Sequence, residues 1–319
     1  MILTVTLNAA LDRTIAVPRF APGRRHRAIE SRTVAGGKGI NVARALKLLG
    51  HPVIATGFIG GSTGERIRNE LTAEGVLHDF TRIEAESRTN ISVADPTSSE
   101  QTEINERGAG VSAAEMERFS ERLLYLAEGA RYCVIAGSLP PGLEPDTYRS
   151  LIGELRRLGV KVLLDTDGEP MRLGLRAGPE VVAPNSTEAE QVVGYEFGEA
   201  AELLSGAALL VEMGAREALI TRPDGCVGIA GPIGGRRAYE VSIEMLDPIS
   251  KTGSGDAFVA GYLGARYRDR DVEECLAYGV AAGAESTQHI GAGVVDRAAT
   301  ERLLDLVVVR SFEEQPVGG

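Results

Sequence analysis

Cysteine is scarce in this chain. Cys133, Cys226 and Cys275 are odd in number and far apart, with no metal-ligand spacing and no disulfide framework, so a reducing cytoplasm is the expected setting. No apolar run approaches the roughly 18–20 residues a bilayer span needs. The opening Met1-Ile2-Leu3-Thr4-Val5 reads as a strand, with no basic stretch before it and no signal-peptide pattern. Basic charge is in deficit. A formal net charge of −11 excludes nonspecific binding to nucleic acid or anionic membrane, both of which need a basic face. An anionic substrate therefore calls for a local positive pocket. The standard nucleotide fingerprints are missing too. Gly37-Lys38 is followed by Gly39 instead of Ser or Thr, so there is no Walker A loop. Read as G-x-G-x-x-G, the two glycine-rich loops place Val42 and Phe258 where the third glycine belongs, and a Rossmann dinucleotide site fails twice. There is no internal repeat and no long low-complexity linker.

What remains is an ordinary globular composition, 43% apolar and 25% charged, over 319 residues. That length suits one large α/β domain with an appendage, or two domains. Val42, Ala45, Leu46 and Leu49 mark one face of a helix that Gly50 and Pro52 end. Val53–Gly57, Tyr132–Ala136, Val160–Leu164, Val181–Ala183 and Ala218–Thr221 read as strands. Helices are expected over Met116–Ala127 (behind the capping box Ser112/Glu115), Tyr148–Leu158 and Ala200–Met213. Continuous aliphatic strands alternating with helices imply a largely parallel sheet covered on both faces. Two polar, strand-like stretches break the rhythm: Arg13–Thr33, and a hairpin of Asn90–Ala94 and Gln101–Asn105 around Asp95-Pro96-Thr97-Ser98. Together they predict a small β-sheet, formed by about residues 12–33 and 88–106, that closes over a ligand as a lid or pairs with a second subunit.

Gly253-Ser254-Gly255-Asp256 opens the helix-like run Ala257–Tyr267. Bare backbone amides and a positive helix end make a site for anionic oxygen, and Asp256 at its lip is placed to accept a hydroxyl proton during phosphoryl transfer. A plain helix N-cap is the alternative. Gly36-Gly37-Lys38-Gly39-Ile40-Asn41 has the means to hold a polyhydroxylated, anionic small molecule through its amides, the Lys38 ammonium and the Asn41 amide. It also suits a tight strand-to-helix turn with an exposed lysine.

With Thr6-Leu7-Asn8 and Asp12, these two loops resemble the sugar-binding segment and both signatures of the ribokinase-like (phosphofructokinase-B) carbohydrate kinases. Arg88-Thr89-Asn90, Thr102-Glu103-Ile104-Asn105-Glu106, Gly137-Ser138-Leu139-Pro140 and Asn185-x-x-Glu188 recur in the family's order, and the resemblance covers nearly the whole chain. The 1-phosphofructokinase and tagatose-6-phosphate kinase branch is most similar. The resemblance implies a single three-layer α/β/α domain over residues 1–319, with ATP and Mg2+ as cofactors and a small β lid through which a homodimer can form. It implies that Asp256 is the base and that amides of Gly253, Ser254 and Gly255 offset charge on the transferred phosphoryl. Asp12, Gly37, Lys38 and Asn41 would hold the sugar, and Arg88 and Ser138 would grip its phosphate, a task suited to the guanidinium fork. Arg24 and Arg27 either add charge there or sit on a solvated surface. Asn185 and Glu188 would organise Mg2+ through water; an Asn N-cap with a dipole-complementing Glu is the other reading. Thr221, Gly225, Lys251 and Ala282 would meet the nucleotide, Ala282 within a Gly279–Gly283 stretch that suits an adenine slot or close helix packing. Asp165 ends a strand where such sheets place ligands, without an assignable role.

Three segments depart from the family pattern. Ala183-Pro184-Asn185 replaces Lys-Pro-Asn and removes a positive charge, for which Arg222 is a spatial substitute. Thr221-Arg222-Pro223-Asp224-Gly225 replaces a Ser/Thr-x-Gly-x-x-Gly loop and loses one amide donor. Lys251-Thr252 stands where small uncharged residues are usual. The expected activity is ATP-dependent phosphorylation of a ketohexose phosphate, fructose 1-phosphate first and tagatose 6-phosphate next. A sugar-phosphate-binding regulator that lost turnover and a nucleoside kinase are the competing readings.

Overall fold

The computed structural model describes residues 1–98, 100–232 and 234–313. The chain opens with strands β1 (Ile2–Thr6), β2 (Ala10–Ala16) and β3 (Glu30–Gly36), then helix α1 (Lys38–Leu48), β4 (Val53–Gly60), α2 (Gly61–Ala73) and β5 (Leu77–Ile83). It continues through β6 (Arg88–Asp95), β7 (Glu100–Asn105), α3 (Ala113–Ala127), β8 (Tyr132–Ala136), α4 (Thr147–Arg157), β9 (Lys161–Asp165), α5 (Gly168–Leu175) and β10 (Val181–Val182). The last third holds α6 (Ser186–Val193), α7 (Ala200–Glu212), β11 (Glu217–Arg222), β12 (Gly225–Ala230), β13 (Arg237–Ser242), α8 (Ser254–Tyr267), α9 (Val272–Ser286), α10 (Arg297–Leu303) and β14 (Val308–Glu313).

Among the described residues, ten strands form the main sheet in the order β14-β13-β12-β11-β10-β9-β8-β1-β4-β5. From β5 to β11 neighbouring strands run parallel; β12, β13 and β14 add on as antiparallel neighbours. The interior strands are largely aliphatic because both faces are covered, and all five residues of β1 and of β8 are buried. One core layer joins the sheet to α1, α2, α8 and α9 through Leu46, Ile67, Tyr262 and Leu276. The other joins it to α3–α7 through Phe119, Tyr148, Met171, Ala189 and Leu210. Each such side chain contributes about 1.5–3 kcal/mol of burial. The first face of α1 is the one the periodicity marks: Val42, Ala45 and Leu46 are 0% exposed, and the helix stops before Gly50, whose φ of 82° a side chain would resist. The three cysteines are free and buried.

A second sheet of four strands has the order β3-β2-β6-β7. It comprises residues 10–16, 30–36, 88–95 and 100–105, so its two halves come from distant parts of the chain. The central pair β2–β6 is parallel and the outer pairs antiparallel. In this register Ala10 pairs with Arg88, and Asp12 with Asn90 on β6 and Val34 on β3. The Asp95 carboxylate secures the β6–β7 turn by accepting from the amides of Arg19, Phe20 and Thr97.

Candidate active site

The carboxyl ends of the parallel strands and the inner edge of the small sheet enclose a cleft of about 1030 Å³. An open α/β sheet places its ligands there because strand ends leave loop amides and helix starts unpaired. The site residues expected from the sequence line this cleft, with the exception of Ala282; Arg24 and Arg27 are exposed and do not reach it.

At its centre, Gly253 precedes α8 with φ 82°, and Ser254 starts the helix. A Cβ on Gly253 would lie 2.6 Å from Cβ of Ala292, whereas one on Gly255 would meet nothing within 4 Å. The first glycine is thus required by packing, and the second leaves open space before the first-turn amides, which by helix geometry lack intrahelical acceptors. Asp256 stands in this first turn but makes no capping bond. Its carboxylate instead accepts from Asn41 Nδ2 at 2.8 Å, and the residue is 6% exposed while still lining the cleft. Burial pushes its pKa up to about 7, with the Asp165 and Glu188 charges adding to the rise and Lys38 and the Asn41 hydrogen bond opposing it.

Lys38 is not an exposed turn lysine. Its ammonium donates to Asp165 Oδ1 at 2.9 Å and Glu188 Oε1 at 2.8 Å, which gives Asp165 a partner that the sequence did not supply. Burial pulls the Lys38 pKa down, but the charges of Asp165, Glu188 and Asp256 outweigh it and leave it above its ordinary value. Glu188 and Asn185 form a reciprocal capping box at the start of α6: Asn185 Oδ1 accepts from the Glu188 amide, and Glu188 Oε2 from the Asn185 amide, each at 2.9 Å. The cap reading is therefore realised, and the second oxygen of Glu188 remains available for Lys38.

On the small-sheet side, Asp12 accepts from Asn90 Nδ2 at 2.8 Å, and burial raises its pKa. Gly36 must be bare here, since a Cβ would come within 1.9 Å of Asp12 Oδ2. Arg88 spends two N–H groups on the carbonyls of Asn8 (3.1 Å) and Glu106 (2.9 Å), which holds its guanidinium at the cleft wall. Ser138 Oγ accepts from Asn8 Nδ2 at 3.2 Å. Gly37, with φ 111°, lies where a Cβ would strike Thr6 at 2.7 Å.

The opposite half is more apolar. Ile243, Met245, Leu246 and Pro248 face Val280, Gly283, Ala284 and Thr287 of the α9 region. Sequence reasoning missed the 243–248 segment, whose cleft-lining residues Ile243, Met245, Leu246 and Pro248 are apolar and carry no glycine signal. Ala282 does not line this slot. It is 0% exposed and packs on α8, where a Cβ on Gly261 would lie 2.7 Å from its own, so close helix packing is what its small size serves. Thr221 is fixed by its amide bond to Pro184 O at 2.9 Å, and Gly225 by the approach of Val241 O. Arg222 reaches the cleft that Ala183 also lines, with its guanidinium 3.1 Å from Asp224 and 3.6 Å from Glu240. Lys251 is exposed at the cleft rim. Nor is the cleft a positive pocket: Lys38, Arg88, Arg222 and Lys251 are outnumbered by Asp12, Glu103, Asp165, Asp167, Glu188 and Asp256. Amide dipoles and paired cations, not an excess of basic residues, are what the cleft offers to an anion.

Comparison with known proteins agrees with this fold. The profile of the pfkB family carbohydrate kinases matches residues 5–298. A 1-phosphofructokinase of Borreliella burgdorferi is 35% identical over 284 residues, which span 89% of this chain and 90% of the relative. A tagatose-6-phosphate kinase of Staphylococcus epidermidis is 30% identical over 288 residues, 86% of this chain and 88% of that one. The solved structure of a possible 1-phosphofructokinase from Thermotoga maritima superposes with a TM-score of 0.87 at 28% identity, covering 98% of this chain and all of that one (100%). By sequence profile, relatives and fold alike, the chain belongs to the pfkB family of carbohydrate kinases.

Proposed function

We propose that this kinase transfers the γ-phosphoryl of ATP to a hydroxyl of a ketohexose phosphate, converting fructose 1-phosphate to fructose 1,6-bisphosphate. One observation carries the reading: a buried carboxylate, Asp256, shares a single cleft with an open helix start on one side and with Arg88, Asp12 and Asn41 on the other. The 1-phosphofructokinase relatives support the choice of substrate. Asp256 takes the proton of the sugar hydroxyl as that oxygen bonds to phosphorus. The bond from phosphorus to the bridging oxygen breaks, and its electron pair leaves with ADP. Amides around Gly253–Gly255 lie where the migrating group's charge develops. A pKa of about 7 suits a base that must be partly ionised and still accept a proton near neutrality. Arg88 and Ser138 hold the phosphate already on the sugar, and the small sheet excludes water when it closes as a lid.

A divalent cation fits the donor set. The cleft presents carboxylate and amide oxygens in acidic surplus, the chemistry Mg2+ prefers. Among the described residues no group of three or more His, Cys, Asp or Glu side chains is arranged to hold an ion directly, in keeping with an ion that retains water. Asn185 and Glu188 would hold it through that water, and it would neutralise charge on the nucleotide phosphates. Ile243 and Val280 suit the faces of an adenine ring. The exposed Ile29 and Ile104 at the small sheet favour pairing with a second copy, and three buried free thiols suit a reducing cytoplasm.

Coupled ADP release against a panel of sugar phosphates, plain sugars and nucleosides tests the assignment. Turnover is expected with fructose 1-phosphate above all others. Preference for tagatose 6-phosphate would move the substrate but keep the chemistry; preference for a nucleoside, or none at all, would end the proposal. A regulator without turnover is disfavoured by Asp256 itself, since a desolvated carboxylate costs stability that a sensor has no use for.

A further inference from the structure

Arg44 is a buried cation that none of the chemistry above uses. It is 6% exposed and lies on α1 one turn beyond Asn41. Its planar head makes five hydrogen bonds. Nε and Nη2 fork onto Glu74 at 2.7 and 3.0 Å, Nη2 also donates to Ala35 O at 2.7 Å, and Nη1 donates to Ala292 O at 3.0 Å and to Asn41 Oδ1 at 3.2 Å. The last bond decides the orientation of an amide. Asn41 can hold the Asp256 carboxylate only by presenting its nitrogen, and that leaves its oxygen facing a donor, which Arg44 supplies. The Ala292 bond acts on the same centre from behind. Gly293 lies so close to Asn41 that a Cβ would come within 2.3 Å of its carbonyl oxygen, and Gly253 rests on Ala292.

We propose that Arg44 is the positioning residue of the catalytic base: it fixes the Asn41 amide that holds Asp256, and pins the 292–293 turn on which the anion-binding glycine sits. The inference deepens the reading of Asp256 as the base and rests on it. Glu74 at the end of α2 and Ala35 on β3 aim the guanidinium, so the base is set by a chain of contacts that reaches the small sheet.

The groups facing Asp256 are Asn41 from α1, Lys38 from the start of α1, Asp165 from β9 and Glu188 from α6. Of these, Asn41 and Lys38 favour the ionised form. If Arg44 is lost, the Asn41 amide is free to turn away, and Asp256 holds its proton to higher pH.

Arg44→Lys keeps the charge but not the fork. A cooperatively folded variant is expected to lose on the order of 10²-fold in kcat, the scale of an ångström's misplacement. The acidic limb of its kcat profile should move to higher pH. In an Asn41→Leu background the same change should move the limb no further, because the amide that Arg44 orients is already gone. A limb that still moves in the Asn41→Leu background, or one that stays in place when Arg44 alone is changed, would overturn the proposal. Should Arg44→Lys fail to fold, Glu74→Gln loosens the clamp and should move the limb in the same direction by less; an unmoved limb would again refute it. Carboxyl carbon NMR of aspartate-labelled protein without substrates, with Asp256 assigned by its loss in Asp256→Asn, separates this inference from the activity. A protein idle towards every sugar phosphate whose Asp256 still titrates later in Arg44→Lys would sink the kinase reading and uphold the Arg44 assignment. An Asp256 that titrates unchanged would sink the assignment, whatever the turnover.

Discussion

Asp256→Asn separates catalysis from architecture more cleanly than any other single change. Asparagine keeps the shape and an oxygen for the Asn41 amide but can neither ionise nor accept a proton. Turnover should fall about 10²–10⁴-fold, the usual contribution of a positioned general base, with sugar-phosphate affinity nearly intact. Stability gives an independent reading. Lifting a carboxyl from its ordinary 3.8 to about 7 costs the fold about 4 kcal/mol, at about 1.36 kcal/mol per pH unit, once both folded and unfolded forms are ionised. The sign follows from the direction of the rise. Below 3.8 both states are protonated and there is no penalty; it grows as pH rises towards 7 and is complete above it. The variant should therefore gain on the parent by about 3 kcal/mol between pH 5 and pH 8, or roughly 5 °C in Tm. Thermal melts of the ligand-free pair across that range measure it. A gap that does not change with pH, together with sugar binding lost in proportion to turnover, would refute the reasoning and leave Asp256 a structural carboxylate.

The remaining predictions address the cleft's two sides. Arg88→Ala should raise KM for a phosphosugar on the order of 10-fold or more, with much less effect on its unphosphorylated parent, in steady-state assays of both, since a charge-assisted contact is worth about 1.5–3 kcal/mol. Gly36→Ala should push the Asp12 carboxylate aside, because the new methyl would lie 1.9 Å from Oδ2; sugar KM should rise while ATP KM holds, as two-substrate kinetics will report. Glu188→Gln removes the Lys38 ion pair but retains an oxygen for the Asn185 amide, so the melt should drop only slightly while the Mg2+ concentration for half-maximal rate rises, read from a magnesium titration.

The sequence was most legible where one residue type answers one physical demand. The aliphatic strands, the α1 periodicity and the Ser112/Glu115 cap correspond to observed elements because burial on two faces, burial on one face and an unpaired helix amide each leave a distinct local signature. Helix α2 left almost none, since it starts Gly61-Ser62-Thr63-Gly64 and buries only Gly64, Ile67 and Leu71. The antiparallel strand β14 was invisible for another reason: it pairs with β13 across as many as 76 residues, as in Arg237 with Glu313, which no local pattern encodes. At the site, glycines and cleft-lining titratable residues announced themselves, whereas the apolar Ile243, Met245, Leu246 and Pro248 did not. The partners of Lys38, the isolation of Ala282 from the cleft and the role of Arg44 all depend on which strand ends meet in space, information that spacing along a chain does not carry.

The ladder between β2 and β6 carries a mechanical consequence. Asp12 and Asn90 face each other in that register, Arg88 begins the same strand, and Gly36 ends the third. On the proposed reading, the jaw that covers the sugar and the Asp12 and Arg88 fingers are one hydrogen-bonded sheet, not a door hung over a separate seat. Whatever angle the plate adopts, the proposed Asp12 and Arg88 grips move with it while Asn41 and Ser138 stay with the main sheet, so hold and closure would change together. A ligand too small to span the gap would leave the jaw ajar and the fingers out of reach at once.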